Sequence, residues 1–403
     1  MKKMLTFALC LAAVGTMSAQ KASVDQAAKL SGKLDKLGEA RALIDQSAAD
    51  PETMNDVRTY YVGGKLEFDA YDKALQKKMI NPNDESANPI EMGQQLLRGY
   101  EMFMKALPLD SVPNEKGEVK PKNSKDIASK LNGHYSDYFN AGGTFYNEKK
   151  YFPEAYEAFM IYGTMPDAPF ADKNVKATAD TIVNTSFFNA GISAYAGNAL
   201  PEAIMAFKAA RLNGTNNPQN YVYELACWQY LAQKDSTIED TAKAAIEEIA
   251  MAGHQKFGMT QPLFLNNLVN SLVQANKGAD ALLLVNEQIG ANPEMASLYG
   301  LRGYINDRMD NDDASIEDYR KAASFADADF ETLKNASKKI FKTGTMKYNE
   351  LDGASADKRN DVKVNYFEAA KSIAERAQQM NANDSDLDYV LESINYALET
   401  YFK

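Results

Sequence analysis

Side chains able to do acid–base or metal chemistry are thinly spread along this sequence. Beyond the first nineteen residues it holds two histidines, His134 and His254, and one cysteine, Cys227. A zinc hydrolase would show HExxH, and a thiol redox site Cys-x-x-Cys; neither motif occurs. Glycine-rich phosphate loops and the Gly-x-Ser-x-Gly elbow are absent as well. With no catalytic constellation, the chain is expected not to be an enzyme and to hold neither cofactor nor metal.

Carboxylates, by contrast, are plentiful. DRMDNDDASIED (Asp307 to Asp318) and NANDSDLDYVLE (Asn381 to Glu392) both suggest calcium at first sight. A calcium loop needs a central glycine among its alternating ligands. Both stretches lack it, and Ala314 replaces a ligand in the first. Each reads instead as a turn followed by a helix N-cap. Four tripeptides, Asp110-Ser111-Val112, Asp180-Thr181-Ile182, Asp235-Ser236-Thr237 and Asp240-Thr241-Ala242, resemble an O-glycosylation signal of some Gram-negative anaerobes. All four are expected in connectors, where Asp-Ser and Asp-Thr are also ordinary turn and cap residues.

The elements that carry these residues are helical. Apolar residues recur at three- and four-residue spacing with no sustained alternation, through stretches poor in Gly and Pro. Clusters such as PNDESANP (Pro82 to Pro89), DAP (Asp167 to Pro169) and NGTNNPQN (Asn213 to Asn220) read as turns between them.

Two of the helical stretches echo each other. FNAGGTFYNEKKYFPEAYEAF (Phe139 to Phe159) returns in outline as FNAGISAYAGNALPEAIMAF (Phe188 to Phe207). Small residues at Gly142 and Ala155 suit a close crossing of two antiparallel helices, whose axes lie ~8–10 Å apart. Phe159, four residues after Ala155, shares its helix face and fills the space beside that crossing. A small residue and a ring thus form one packing unit while other positions drift.

This pattern resembles the tetratricopeptide repeat family, which sets aromatic, small, aromatic, Ala, aromatic, Ala and Pro positions over ~34 residues. Phe187, Gly191, Ala203, Phe207 and Ala210 match one unit, and Tyr138, Gly142, Phe145, Ala155 and Phe159 the unit before. Ala281, Val285 and Pro293 mark another, with Val269 in place of the Gly; Gly303, Tyr319 and Ala322 mark the next, with Ser315 at the Ala position. Cys227 stands where Gly191 stands in its unit, which predicts a buried packing thiol whose pKa burial raises.

Weaker pairs are Val24–Lys36 with Glu39–Pro51, Tyr60–Lys77 with Ile90–Ala106, Tyr221–Gln233 with Thr241–Met251, and Phe330–Leu351 with Val362–Met380. The resemblance implies an all-α fold, a right-handed α-α superhelix of about eight helix pairs over residues 20–383. A capping helix, 384–403, closes it. There Ser385 and Asp388 have capping-box spacing, Leu387, Leu391, Ile394 and Leu398 form the apolar face, and the opposite face is acidic and solubilising. Two polar insertions, Leu75 to Ile90 and Asp110 to Asp126, read as loops.

Residues 1–19 read as a secretory signal peptide: Lys2 and Lys3, an apolar run from Met4 to Val14, then small residues to a cleavage site after Ala19. The run is too short to span a bilayer. Cys10 lies inside it rather than at its end, which argues against a lipoprotein. The chain carries 44 basic and 55 acidic residues, and loss of Lys2 and Lys3 takes its net charge from −11 to about −13. Such a surface repels nucleic acid and anionic lipid. A periplasmic protein without direct membrane insertion, free or docked at the outer membrane, is the expected product.

In the resembled family the first helices of successive pairs line a concave groove that holds ligands. Matching its positions onto this chain brings forward Phe139, Tyr146, Phe188, Ile192, Tyr195, Trp228 and Tyr304, with Asn266 and Asn270 beside them. The expected function is a non-catalytic interaction scaffold, adaptor or chaperone-like subunit that holds a periplasmic or outer-membrane protein partner. The alternative is a glycan- or nutrient-binding accessory protein using the rings as sugar platforms. A competing structural reading buries each of these rings against the next helix pair.

Overall fold

The computed structural model describes residues 22–84, 87–113, 116–351 and 355–402. The signal-peptide expectation for 1–19 falls outside the described residues. Every regular element among those described is a helix, so the all-α expectation holds. The chain divides into two compact units, one ending at Ile238 and the next beginning at Glu239.

The first unit runs α1 (22–29), α2 (Leu37–Ala49), α3 (Val57–Ile80), α4 (Pro89–Asp110), α5 (Ser124–Gly133), α6 (Tyr135–Asn147), α7 (Phe152–Thr164), α8 (Lys173–Lys176), α9 (Asp180–Ala196), α10 (Leu200–Leu212) and α11 (Pro218–Lys234). Neighbours in sequence pack as hairpins, α3 on α4, α6 on α7 and α9 on α10, and the hairpins stack through α4 on α6 and α7 on α9. The second unit runs α12 (Glu239–Phe257), α13 (Pro262–Gln274), α14 (Gly278–Ala291), α15 (Ala296–Arg308), α16 (Asp312–Ser324), α17 (Phe330–Asn349), α18 (Ala356–Val362), α19 (Ala369–Met380) and α20 (Ser385–Tyr401). Here α13 touches α15 and α15 touches α17, so these alternate helices share one side of the unit, and α17 also touches α20.

Glycines that meet aromatic rings set the hairpin crossings. A Cβ on Gly142 would lie 2.8 Å from the Phe159 ring, and one on Gly191 would lie 2.4 Å from Phe207. The ring therefore sits on the glycine itself, closer than the neighbouring placement expected from spacing. The same arrangement joins Gly64 of α3 to Phe103 of α4, whose ring would overlap any Cβ on Gly64. A second series locks each hairpin to the next: Gly93 of α4 under Phe145 of α6, and Gly163 of α7 under Phe187 of α9. Gly303 meets Tyr319 more loosely, since a Cβ there would lie 3.2 Å from the ring, and the nearby Ser315 donates its hydroxyl to the Gly303 carbonyl at 2.9 Å. That bond satisfies a polar group at a fully buried Ala position.

Several boundaries differ from those read in the sequence. The first helix does not reach Lys36. It stops at residue 29, Gly32 takes a left-handed φ of 74°, and a separate 3-10 turn spans Leu34–Lys36. The expected loop from Leu75 to Ile90 is helical through Ile80 and again from Pro89, where the Asn88 side chain accepts from the Ile90 and Glu91 amides. The inserted residues thus lengthen α3 rather than forming one long loop. The segment from Asp110 to Asp126 ends in an unforeseen helix, α5. Asp110 anchors it, accepting from the Lys122, Asn123 and Ser124 amides and from the Ser124 hydroxyl. Burial raises the Asp110 pKa, but those hydrogen bonds outweigh it and hold the carboxyl below its usual range.

The capping residue of α20 is also shifted. Asp384, not Ser385, accepts from the Leu387 amide, at 2.9 Å, and it pairs with Lys334. A carboxylate at that position serves both the helix terminus and a neighbouring cation.

Candidate functional site

Most of the titratable groups singled out from the sequence are engaged in packing or pairing, whereas the buried Nδ1 of His254 has no hydrogen-bond partner among the described residues. Cys227 is fully buried, and burial pushes its thiol up to about 12. His134 is half-buried, stacked on Phe68 at 5.0 Å, with Nδ1 2.9 Å from Asp137 and Nε2 3.4 Å from Asp72. His254 lies in the other unit, and burial lowers its pKa. In the acidic stretch from Asp307, the nearly buried Lys339 ammonium pairs with both Asp307 and Asp312. Hydrogen bonding to Lys339 holds the Asp312 carboxyl below its usual range. Asp318 is buried and clamped by Arg302 at 2.6–3.0 Å. Three carboxylates of the stretch, Asp307, Asp312 and Asp318, are thus paired with cations of the fold. Among the described residues no group of His, Cys, Asp and Glu is arranged to hold a metal ion.

Two further buried carboxylates escaped the sequence reading. Glu67 is 1% exposed, accepts from Arg41 through both oxygens at 2.7 and 2.6 Å, and lies 2.9 Å from Arg98 Nε. Glu224 is equally buried and accepts from Arg211 at 2.8 and 3.1 Å. Glu224 is an acidic residue inside the apolar run Val222 to Trp228, and that misfit is the available signal, whereas Glu67, between Lys65 and Asp69, offers none. Paired in this way, both are structural.

The hydroxyls of the four glycosylation-like tripeptides, Ser111, Thr181, Ser236 and Thr241, are all exposed. Two of them are not in connectors: Thr181 lies in the first turn of α9 and Thr241 in the first turn of α12.

The nominated groove residues divide by unit. In the first, Phe139 is half-buried, edge-on to Phe159 at 5.3 Å and to Tyr162 at 5.2 Å. Tyr146 meets Phe152 at 5.8 Å, and Phe188 meets Phe207 at 5.9 Å and Tyr223 at 6.1 Å. Ile192 and Trp228 pack on the cluster of Leu200, Ile204 and Cys227. Tyr195 is the exception at 43% exposed, with one edge on Tyr223. These rings mainly fill space between helices.

In the second unit, Asn266, Asn270 and Tyr304 are brought together. They line a cavity of about 290 Å³ with Ser297, Leu301 and Asn335, drawn from α13, α15 and α17. Both asparagines and Asn335 are exposed, and Tyr304 is half-buried. The two carboxylates at this wall are engaged: Asp329 accepts from the Thr332 amide at 2.8 Å, and Glu331 pairs with Lys334 at 3.0 Å. The cavity therefore presents carboxamides, hydroxyls and the rings of Tyr304 and Tyr319.

Fold and site together define an array of helical hairpins with a polar recess on its alternate helices. No family model and no curated protein matches the sequence. Among solved structures, the crystal structure of yeast Tom70 matches with a TM-score of 0.32 and 12% identity, covering 95% of this chain and 89% of that one. At that distance the fold assignment rests on the helix pairing itself. No helix among the described residues is long and apolar enough to cross a membrane.

Proposed function

We propose that the protein is a non-catalytic interaction scaffold of the periplasm that holds an extended segment of a protein partner along α13, α15 and α17. The observation that carries this reading is the convergence of Asn266, Asn270 and Tyr304 on one cavity. Asparagines four residues apart share a helix face. Each carboxamide offers a donor and an acceptor side by side, which matches the donor–acceptor pair of a peptide bond. Tyr304 supplies the apolar anchor of the kind that dominates interfaces. The proposed export rests on the sequence alone.

A photo-crosslinking side chain placed at Asn270 tests this in extract from the native host. Cross-links to a defined peptide segment are expected, and the same group at Leu283, 73% exposed on α14, should give none. Equal recovery at both positions would sink the reading.

Glycan binding stands as a second reading, supported by a separate cavity of about 430 Å³ in the first unit. Asp180, Thr181, Asn184, Thr185, Phe188 and Asn213 are among its lining. Asn184 and Asn213 brace each other, with Asn213 Nδ2 donating to Asn184 Oδ1 at 3.0 Å. One ring, several amides and hydroxyls and a single carboxylate suit a neutral sugar. Titration with a panel of neutral oligosaccharides, compared with Asn184→Ala, tests it; no binding by either chain removes it.

A further inference from the structure

We infer that the outer face of α20 is a docking surface for a lysine- or arginine-bearing helical segment of a protein partner. The sequence pattern makes this face acidic and merely solubilising. The structure adds two tyrosines to it, Tyr389 and Tyr396, which are 71% and 64% exposed. Glu392 and Glu399 are exposed beside them. At about 100° per residue the four side chains fall within roughly 80° of arc, so ring and carboxylate alternate along one stripe about 15 Å long. The opposite face, with Leu387, Leu391 and Ile394, is buried in the unit.

The chemistry of the missing counterpart is set by contrast with the rest of the molecule. Elsewhere, the exposed Tyr230 and the half-buried Tyr299, Tyr366 and Tyr151 carry a cation from their own fold. Lys234 lies 4.4 Å from the Tyr230 ring, Arg302 5.5 Å from Tyr299, Arg320 5.0 Å from Tyr366 and Lys150 5.0 Å from Tyr151. No such cation lies over Tyr389 or Tyr396 among the described residues, and Ser385–Tyr401 contains no Lys or Arg. At the start of the helix Lys334 and Lys338 neutralise Asp384 and Asp386. No ion pair of this kind reaches Glu392 or Glu399 among the described residues. Ring faces favour cations within about 6 Å, and the adjacent carboxylates add charge of the matching sign. A partner helix with basic residues at i, i+3 and i+7 repeats the stripe's spacing. This surface is independent of the recess on α13, α15 and α17.

The test uses the full chain and a fluorescein-labelled helical peptide carrying Lys at i, i+3 and i+7, with a Glu-for-Lys peptide as control. Fluorescence anisotropy should show binding of the lysine peptide only, weakening as salt rises. Tyr389→Ala with Tyr396→Ala should weaken it roughly fivefold or more, and so should Glu392→Gln with Glu399→Gln. These positions are exposed, so unchanged circular-dichroism melts are expected for both variants. Unchanged affinity in both would overturn the inference, because the acidic chain as a whole would then be attracting the peptide. Loss of binding in Asn266→Ala with Asn270→Ala instead would move the peptide to the recess and also overturn it. Light scattering that shows a dimer broken by the tyrosine variant would assign the face to a second copy of this chain, with the same consequence.

Discussion

In α9 of the first unit, Phe188 and Ile192 stand three residues before and one after Gly191, and both are drawn into packing on the buried cluster of Leu200, Phe207 and Cys227. In α13 of the second unit, Asn266 and Asn270 stand in the same places about Val269, and both remain exposed on a cavity wall. One register thus has two outcomes. A ring at such a position can gain more by burying its area against the next helix than by waiting for a ligand, at roughly 25 cal/mol per Å². An amide gains little from burial unless every polar atom finds a partner, so it stays at the surface, available to bind. Groove positions therefore have to be judged by residue chemistry as well as by place in the repeat.

The largest test of this contrast attacks the packing of the first unit. Gly191→Leu forces a side chain into the Phe207 ring and should cost about 3 kcal/mol or more, read from urea or thermal denaturation. An unchanged midpoint would show that the glycine–ring contact does not hold α9 to α10.

Next in size is the direct comparison of equivalent positions. Phe188→Ala should lose about 2 kcal/mol, because the ring is half-buried among aromatic neighbours. Asn266→Ala and Asn270→Ala should each stay within about 0.5 kcal/mol. If the asparagine variants proved as destabilising as Phe188→Ala, the amides would be structural and the binding recess would lose its basis.

A smaller effect concerns α5, the helix that the first unit inserts between its hairpins. Asp110→Ala removes the anchor of that helix and should cost about 1 kcal/mol at neutral pH. The folded Asp110 pKa is depressed, so its contribution is present above the unfolded value of about 3.9 and fades as pH falls through the folded one. The gap between parent and variant should therefore hold from neutral pH down to about pH 5 and close in stronger acid. A gap that widens on acidification would mean that folding holds the Asp110 carboxyl above its unfolded pKa, not below it.

The smallest prediction separates adjacent residues. A Cβ at Gly142 would strike Phe159, whereas one at Gly143 would meet nothing within 4 Å. Gly143→Ala should therefore raise stability by about 0.5–1 kcal/mol through helix propensity alone, while Gly142→Ala lowers it.

Much of the hairpin order was legible from local pattern. Three- and four-residue periodicity, turn clusters and the recurring glycine with its ring placed α6, α7, α9, α10, α15 and α16. The small-residue register predicts a packing thiol at Cys227, and its full burial agrees. Helix α5 was illegible, because its anchor, Asp110, lies about a dozen residues upstream at the end of α4. The contact between Gly64 and Phe103 was hidden for a similar reason: the longer α3 and α4 separate them far beyond the repeat spacing.

By itself, then, the sequence determined most of the helical segments and the crossing glycines of the regular repeats, Gly142 and Gly191, since periodicity and side-chain size act locally. Only the tertiary structure decided which groove-side residues are consumed and which remain free. It also decided which cations meet the acidic stretches, Lys339, Arg302, Lys334 and Lys338, and which meet the buried Glu67 and Glu224, Arg41, Arg98 and Arg211. Burial and charge pairing depend on what arrives from elsewhere in the chain, and no local pattern carries that information.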